Sequence, residues 1–373
     1  MEQETYIGFG TIQKLEAILS SYDLNNVFLV TGKQSYSSCG AERALKRTLR
    51  QYNVERFSDF EVNPNLKDVR IGIDLFRKSD PGIVISVGGG SVIDMAKLVN
   101  ILSAQEREPV GYMKGENNVE NRMKPLIAIP TTAGSGTEAT QFAVVYIDKT
   151  KYSVAHKFIL PQYAIVDPQF TIGLPPAITA STGMDALSQA TESFWAVDST
   201  EESKADSAEA IKLAMGNLES AVNEPTEDSR LKMMKASNLA GRAINITRTT
   251  APHAVSYTFT THFGIPHGHA VGLTLGKFLV YNNEVDETDC TDQRGAPYVR
   301  KTIAELCVLL GAEDADSARN RIDSLMTAIG LEDIFKLNLK REDLDLIAEN
   351  VNTERMINNP RRITREGLNR ILK

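Results

Sequence analysis

The sequence predicts two domains of different class: an α/β domain built on a parallel sheet, followed by an all-helical domain. Three observations lead there. A length of 373 residues exceeds a typical single hydrophobic core. Over roughly the first 165 residues, short apolar runs alternate with helical patterns, the signature of βαβ units. Beyond GLPP (Gly173–Pro176), β-branched runs nearly vanish and apolar residues recur three and four apart. The boundary falls near residues 168–176, giving domains 1–170 and 171–373.

The elements follow in order. NVFLVTG (Asn26–Gly32) reads as a buried strand ending in a turn, and so does GIVISVGGGS (Gly82–Ser91). Between them, VRIGIDLFRKS has helical period. PLIAIPTT (Pro125–Thr132) and YAIVDP (Tyr163–Pro168) are two further strands. FAVVYID (Phe142–Asp148) followed by KYSVAH looks like a hairpin added to the sheet. In the second domain, ESKADSAEAIKLAMGNLESAV and SRLKMMKASNLAGRAI are helices. YVRKTIAELCVLLG and SARNRIDSLMTAIG are two more, each stopped by glycine.

Composition narrows the function. Hydrophobic residues make up 42% and charged residues 24%, as in ordinary soluble globular proteins. A net charge of −7 argues against a nucleic-acid or acidic-membrane partner. Three cysteines without CxxC spacing suit a reducing compartment. The polar start MEQETYIGFG does not read as a signal peptide, and no apolar run approaches the length of a membrane helix. The expectation is a cytoplasmic protein.

Two turns carry chemistry. SVGGGSVIDMAK (Ser86–Lys97) is a strand, three glycines, then a helix. Glycine permits close backbone approach, and the helix start offers N–H groups and partial positive charge to an anion. IPTTAGSGTEAT (Ile129–Thr140) also follows a strand and is crowded with glycines and hydroxyls. Alone, the first reads equally well as a tight turn or a phosphate site, and a flexible surface loop is the lesser alternative for the second. Two such turns at strand ends mark where an open α/β sheet places a nucleotide, so the first domain is expected to bind a dinucleotide. Four of the five histidines, His253, His262, His267 and His269, fall within HAVSYTFTTHFGIPHGHA. The residues alone leave them open as metal ligands, acid–base groups or surface side chains.

Taken together, GGGSVIDMAK, PTTAGSGTEAT, IVDP, TGMDALSQATES and HAVSYTFTTHFGIPHG resemble the iron-containing (group III) alcohol dehydrogenase family over essentially the whole chain. The resemblance implies a Rossmann-like domain followed by a helical one, the dehydroquinate synthase-like fold. It implies aldehyde–alcohol interconversion with NAD(P)H and one divalent metal, Fe²⁺ or Zn²⁺, in the cleft between domains. A homodimer or larger homo-oligomer is also implied. Carried over by position, Gly88, Gly89, Gly90 and Ser91 would hold the pyrophosphate and Asp94 would sit near the nicotinamide amide. Thr131, Thr132 and Ser135 would line the cofactor, with Lys151 approaching from the hairpin and Leu174 from the domain boundary. Where the family often has an acidic residue for the adenosine ribose, this chain has Gly32 and then Lys33. Loss of that carboxylate leans toward NADP.

The family's metal ligands map to Asp185, Gln189, His253 and His267. Gln189 stands where the family has histidine, and a neutral amide oxygen is a weaker ligand. Tyr257 replaces another family histidine, proposed for proton relay; an unperturbed phenol near pH 10 relays poorly without a water chain. His262 and His269 have no family role and read as structural or surface groups. Just before His253, AINITRTTAP sets Arg248 and Thr249 close to a metal ligand. Arginine's planar donor fork suits an anionic substrate group, while pairing with a surface carboxylate and helix capping are the structural alternatives.

With Gln189 and Tyr257, this segment resembles the phosphonoacetaldehyde reductase (2-hydroxyethylphosphonate dehydrogenase) branch, whose substrate is a small anionic aldehyde. The alternatives are a general short-chain alcohol or lactaldehyde dehydrogenase and, on the same fold, a dehydroquinate synthase-like lyase.

Overall fold

A computed structural model describes residues 3–148, 150–337, 339–351 and 356–373. It divides into two compact units, Met1–Leu174 and Pro175–Lys373.

The first unit is built on strands β1 (Glu4–Ile7), β2 (Asn26–Thr31), β3 (Asn53–Phe57), β4 (Ile83–Gly88), β5 (Leu126–Pro130) and β8 (Tyr163–Val166). They form one parallel sheet in the order β1-β8-β5-β4-β2-β3. Its helices are α1 (Lys14–Ser20), α2 (Ser35–Ser38), α3 (Ala41–Leu49), α4 (Leu66–Ser79), α5 (Gly90–Ser103) and α6 (Pro109–Met113). The central strands are buried on both faces, because alternate side chains point to opposite sides. Phe28, Val30 and Val84 pack with Val69, Ile73, Leu98 and Val99 on one side. Leu29, Ile83, Ile85 and Ile127 pack with Leu15, Leu19 and Leu45 on the other.

The fold class expected from the sequence is observed, with two differences. Strands β1 and β3 lie at the sheet edges, where polar, exposed side chains leave no apolar run to read. The hairpin of β6 (Phe142–Ile147) and β7 (Thr150–Ala155) is not added to the main sheet; it forms its own two-stranded antiparallel sheet.

The second unit is helical: α7 (Pro176–Trp195), α8 (Glu201–Asn223), α9 (Glu227–Thr247), α10 (Ala251–Phe263), α11 (His267–Asn283), α12 (Ala296–Leu309), α13 (Ala315–Ala328), α14 (Arg341–Asn350) and α15 (Arg365–Leu372). Thr200 with Ser203, and Thr226 with Ser229, close reciprocal caps on α8 and α9. Gly311 and Gly330, just beyond α12 and α13, adopt positive φ of 76°, the left-handed stop that glycine takes without strain. Helix α7 is buried from Gly183 to Trp195, with α8, α9, α11 and α12 packed around it. Polar groups on such a helix must find partners inside the protein. Among the described residues, no helix is long and apolar enough to cross a membrane.

Candidate functional site

In the first unit, adjacent strands β4 and β5 carry both glycine-rich turns at their C-terminal ends. Gly88 ends β4, Gly89 precedes α5, and Gly90 and Ser91 open it. The N–H groups of a first helical turn have no acceptor within the helix. The two turns touch: Thr131 N–H donates to the Gly88 carbonyl at 3.0 Å. A Cβ on Gly89 would lie 3.2 Å from Thr132 Oγ1, and one on Gly90 2.8 Å from Ser135 Oγ. The glycines are therefore what lets the second turn close over the start of α5. Thr131 is buried, while Thr132, Ser135 and Ser91 are half-buried. Ser91 Oγ accepts from the Asn63 N–H at 3.1 Å.

Asp94, one turn into α5, accepts from Thr137 Oγ1 at 2.6 Å and from the Val144 N–H at 3.0 Å. Burial raises its pKa, against the charges of Lys97 and Lys151 and these hydrogen bonds. Lys151 pairs with Tyr146 in the hairpin. Leu174 closes the unit, its N–H on the Thr171 carbonyl at 3.1 Å.

Lys97 ends the SVGGGSVIDMAK stretch. It is fully buried, and its ammonium meets the carbonyls of Thr137 (2.5 Å), Thr140 (2.7 Å) and Phe142 (3.0 Å) and the hydroxyl of Thr140 (3.0 Å). Burial pulls its pKa down to about 8, with Asp94 and Glu138 opposing. Lys97 thus ties the second turn to α5. Lys97→Met leaves these carbonyls without their donor. Each buried acceptor left unmade costs about 1–3 kcal/mol, so a loss of several kcal/mol in stability is expected, measured by denaturant unfolding.

In the second unit, Asp185 and Gln189 stand one turn apart on α7, His253 lies in the first turn of α10, and His267 opens α11. One ligand atom each from Asp185, His253 and His267 lies within 4.8 Å of the others. His253 Nε2 is 3.2 Å from Asp185 Oδ1, and His267 Nε2 is 3.9 Å from the same oxygen. Donors at about 2.0–2.2 Å from one cation stand about this far from each other. Gln189 Oε1 is buried and has no hydrogen-bond partner among the described residues. A buried acceptor left unmade is costly, and a cation would satisfy it. The donor set fits a divalent metal.

Electrostatics agree. Burial works to raise the Asp185 pKa, but a hydrogen bond to His253, the charges of His267 and His253 and a hydrogen bond with Gln189 together lower it. Burial works against a charged His253. The negative charge of Glu192 and hydrogen bonds to Asp185 and Glu192 override it and push its pKa up to about 10. The cluster draws positive charge into a buried place.

The approach of α11 to α7 depends on Gly268. A Cβ there would lie 1.9 Å from the Ser181 carbonyl oxygen and 2.9 Å from Asp185 N. Tyr257 stacks on His267, with ring centroids 5.6 Å apart and planes 8° from parallel. Thr250 precedes α10, yet its hydroxyl makes no cap and goes to Glu192 at 2.8 Å.

Arg248, exposed, and Thr249, half-buried, lie between α9 and α10. Arg248 has φ 66° and ψ −174°, a conformation suited to glycine. It is held by its N–H on the Ile244 carbonyl (2.8 Å), by Thr247 Oγ1 on its own carbonyl (2.7 Å), and by Asn358 on the Thr247 carbonyl (2.6 Å). His269 is buried with Nε2 2.6 Å from the Glu332 carbonyl, a structural contact, and His262 is exposed.

Glu192 carries little sign of its role in the sequence beyond its place in TGMDALSQATES, seven residues after Asp185 and three after Gln189.

Residues 2–168 match the family described as iron-containing alcohol dehydrogenase, and residues 179–373 match its C-terminal part. A phosphonoacetaldehyde reductase of Streptomyces viridochromogenes is 35% identical over 302 residues, 78% of this chain and 75% of that protein. A sulfoacetaldehyde reductase of Bifidobacterium kashiwanohense, solved in complex with NAD⁺, superposes with TM-score 0.89 at 32% identity, covering 99% of this chain and 96% of that one. An alcohol dehydrogenase of Oenococcus oeni superposes with TM-score 0.90 at 27% identity, covering 100% and 98%. With its sheet domain, its helical domain and an Asp–His–His cluster suited to a divalent metal, the chain belongs to the iron-containing alcohol dehydrogenase family of NAD(P)- and metal-dependent oxidoreductases that interconvert aldehydes and alcohols.

Proposed function

We propose that the protein reduces phosphonoacetaldehyde to 2-hydroxyethylphosphonate with NAD(P)H. The observation that carries this reading is Arg248, a cation held in a strained backbone five residues before His253. Strained residues persist where the surroundings enforce them, and they gather at functional positions. Two relatives named above act on two-carbon aldehydes that end in an anion, a phosphonate and a sulfonate. The sulfonate is the second reading, favoured by the Bifidobacterium kashiwanohense enzyme's likeness over nearly the whole chain.

In this proposal Gly88, Gly89, Gly90 and Ser91 receive the pyrophosphate at the start of α5. Asp94, Thr131, Thr132, Ser135, Lys151 and Leu174 line the cofactor. Asp185, Gln189, His253 and His267 hold the cation. When bound, the cation supplies Lewis acidity and the nicotinamide supplies hydride. Arg248 and Thr249 grip the anionic end of the aldehyde and so fix which carbon is presented. Tyr257, on the face of His267, is assigned the proton relay. Gly32 puts no carboxylate at the end of β2 against a 2′-phosphate, and Lys33 beyond it pairs with Asp59 at 2.5 Å. NADPH is therefore included.

The test is NADH and NADPH oxidation with phosphonoacetaldehyde, sulfoacetaldehyde and butanal. A higher kcat/KM for butanal than for either anion overturns the proposal. Arg248→Gly separates affinity from stability. It removes the guanidinium while relieving backbone strain, so stability should hold or rise by up to about 1 kcal/mol. KM for the anionic aldehyde should rise roughly 10- to 100-fold, and butanal turnover should change little.

A further inference from the structure

Helix α7 turns three polar side chains toward the same buried region: Asp185, Gln189 and, one turn further, Glu192. Glu192 is completely buried. One of its carboxylate oxygens meets His253 Nδ1. The other accepts from the Thr250 N–H at 2.7 Å and from Thr250 Oγ1 at 2.8 Å. Thr250 Oγ1 in turn accepts from Trp195 Nε1–H at 2.9 Å. The carboxylate is thus fixed from two sides, and His253 lies between it and Asp185, which meets Nε2 at 3.2 Å.

We propose that Glu192 is a positioning residue for the metal: it holds His253 in the Nδ1–H tautomer and so keeps the Nε2 lone pair aimed at the Asp185 cluster. With Nε2 given to the cation, the neutral ring keeps its hydrogen on Nδ1, where the Glu192 carboxylate can only accept it. Partners of this kind orient ligating histidines and raise their basicity. The charges support the assignment. Asp185 and Glu192 bring two negative charges to a buried site whose other donors, Gln189, His253 and His267, are neutral when they ligate. A divalent cation brings that sum to zero, and buried charge is tolerated when it is balanced.

Glutamine at this position cannot reproduce the arrangement. If its oxygen serves Thr250, its NH₂ faces Nδ1 and forces the hydrogen onto Nε2, which then has no lone pair for a metal. If its oxygen serves His253, its NH₂ opposes the Thr250 donors.

The inference rests on the metal-binding role proposed above for Asp185, His253 and His267, and the experiment separates the two. Metal-free wild type, Glu192→Gln and Asp185→Ala are titrated with Co²⁺, reading both Kd and the visible absorption of the bound ion. Glu192→Gln is expected to bind about 10- to 100-fold more weakly with an altered Co²⁺ spectrum, and Asp185→Ala to lose binding. Wild-type affinity and spectrum in Glu192→Gln, with binding lost in Asp185→Ala, overturn the role of Glu192 alone. Wild-type binding in Asp185→Ala overturns the metal site itself. Should Glu192→Gln fail to fold, histidine ¹⁵N NMR of the Zn²⁺-loaded wild type decides. Hydrogen on His253 Nδ1 and metal on Nε2 is the expected result, and metal on Nδ1 overturns the proposal.

Discussion

Metal-free protein, or the Asp185→Ala variant, is expected to lose aldehyde reduction by about a thousand-fold or more. A bound cation contributes several kcal/mol to stabilising negative charge that develops on a carbonyl oxygen, and each 1.36 kcal/mol is tenfold in rate. Asp185 is the anionic member of the donor set, and both histidines approach one of its oxygens, at 3.2 and 3.9 Å. Removing it leaves three neutral donors, Gln189, His253 and His267. Cofactor binding should survive, because the turns that we assign to it, at Gly88–Ser91 and Thr131–Ser135, belong to the other unit. The check is a pair of measurements on Asp185→Ala: NAD(P)H affinity near wild type, and turnover near background.

Gly268→Ala is the second large effect. An added Cβ would meet a backbone oxygen at 1.9 Å and a backbone nitrogen at 2.9 Å, neither of which can rotate away. Helix α11 must then move off α7. Overpacking in a tight core costs typically about 1–3 kcal/mol, and a backbone clash this close belongs at or above the top of that range. Because His267 is the preceding residue, the same shift carries a ligand away from Asp185. The expected outcome is a Tm lower by several degrees together with a metal affinity down at least about tenfold. Gly330→Ala is a contrasting control: its φ is 76° but nothing lies within 4 Å of the added Cβ. It should lower stability through backbone strain and leave metal affinity unchanged.

The parts of the fold legible in the sequence were those where burial imposes a pattern. The strands at Asn26–Thr31, Ile83–Gly88, Leu126–Pro130 and Tyr163–Val166 are apolar because helices cover both faces. ETYI and NVERF carry no such run, since an edge strand is held by backbone pairing that side-chain composition does not record. At the site, the ligand set came from the family resemblance, and the structure brings Asp185, His253 and His267 together. The resemblance already distinguishes His267 from His269, two residues apart, and in the structure one faces Asp185, the other a backbone carbonyl. Glu192 escaped notice because a glutamate in a helix ordinarily marks a solvated face, and only the burial of α7 on all sides makes it a buried partner. The positive φ of Arg248 was illegible for a related reason: a non-glycine residue gives no local sign that tertiary contacts will hold it there.

Dependence of the reaction on a bound metal is read most directly from aldehyde-dependent NAD(P)H oxidation by protein stripped of metal with a chelator, then titrated with Fe²⁺ or Zn²⁺. Background activity is expected in the stripped protein, with recovery that saturates at one equivalent of metal per chain. Full activity in the metal-free protein would contradict that dependence.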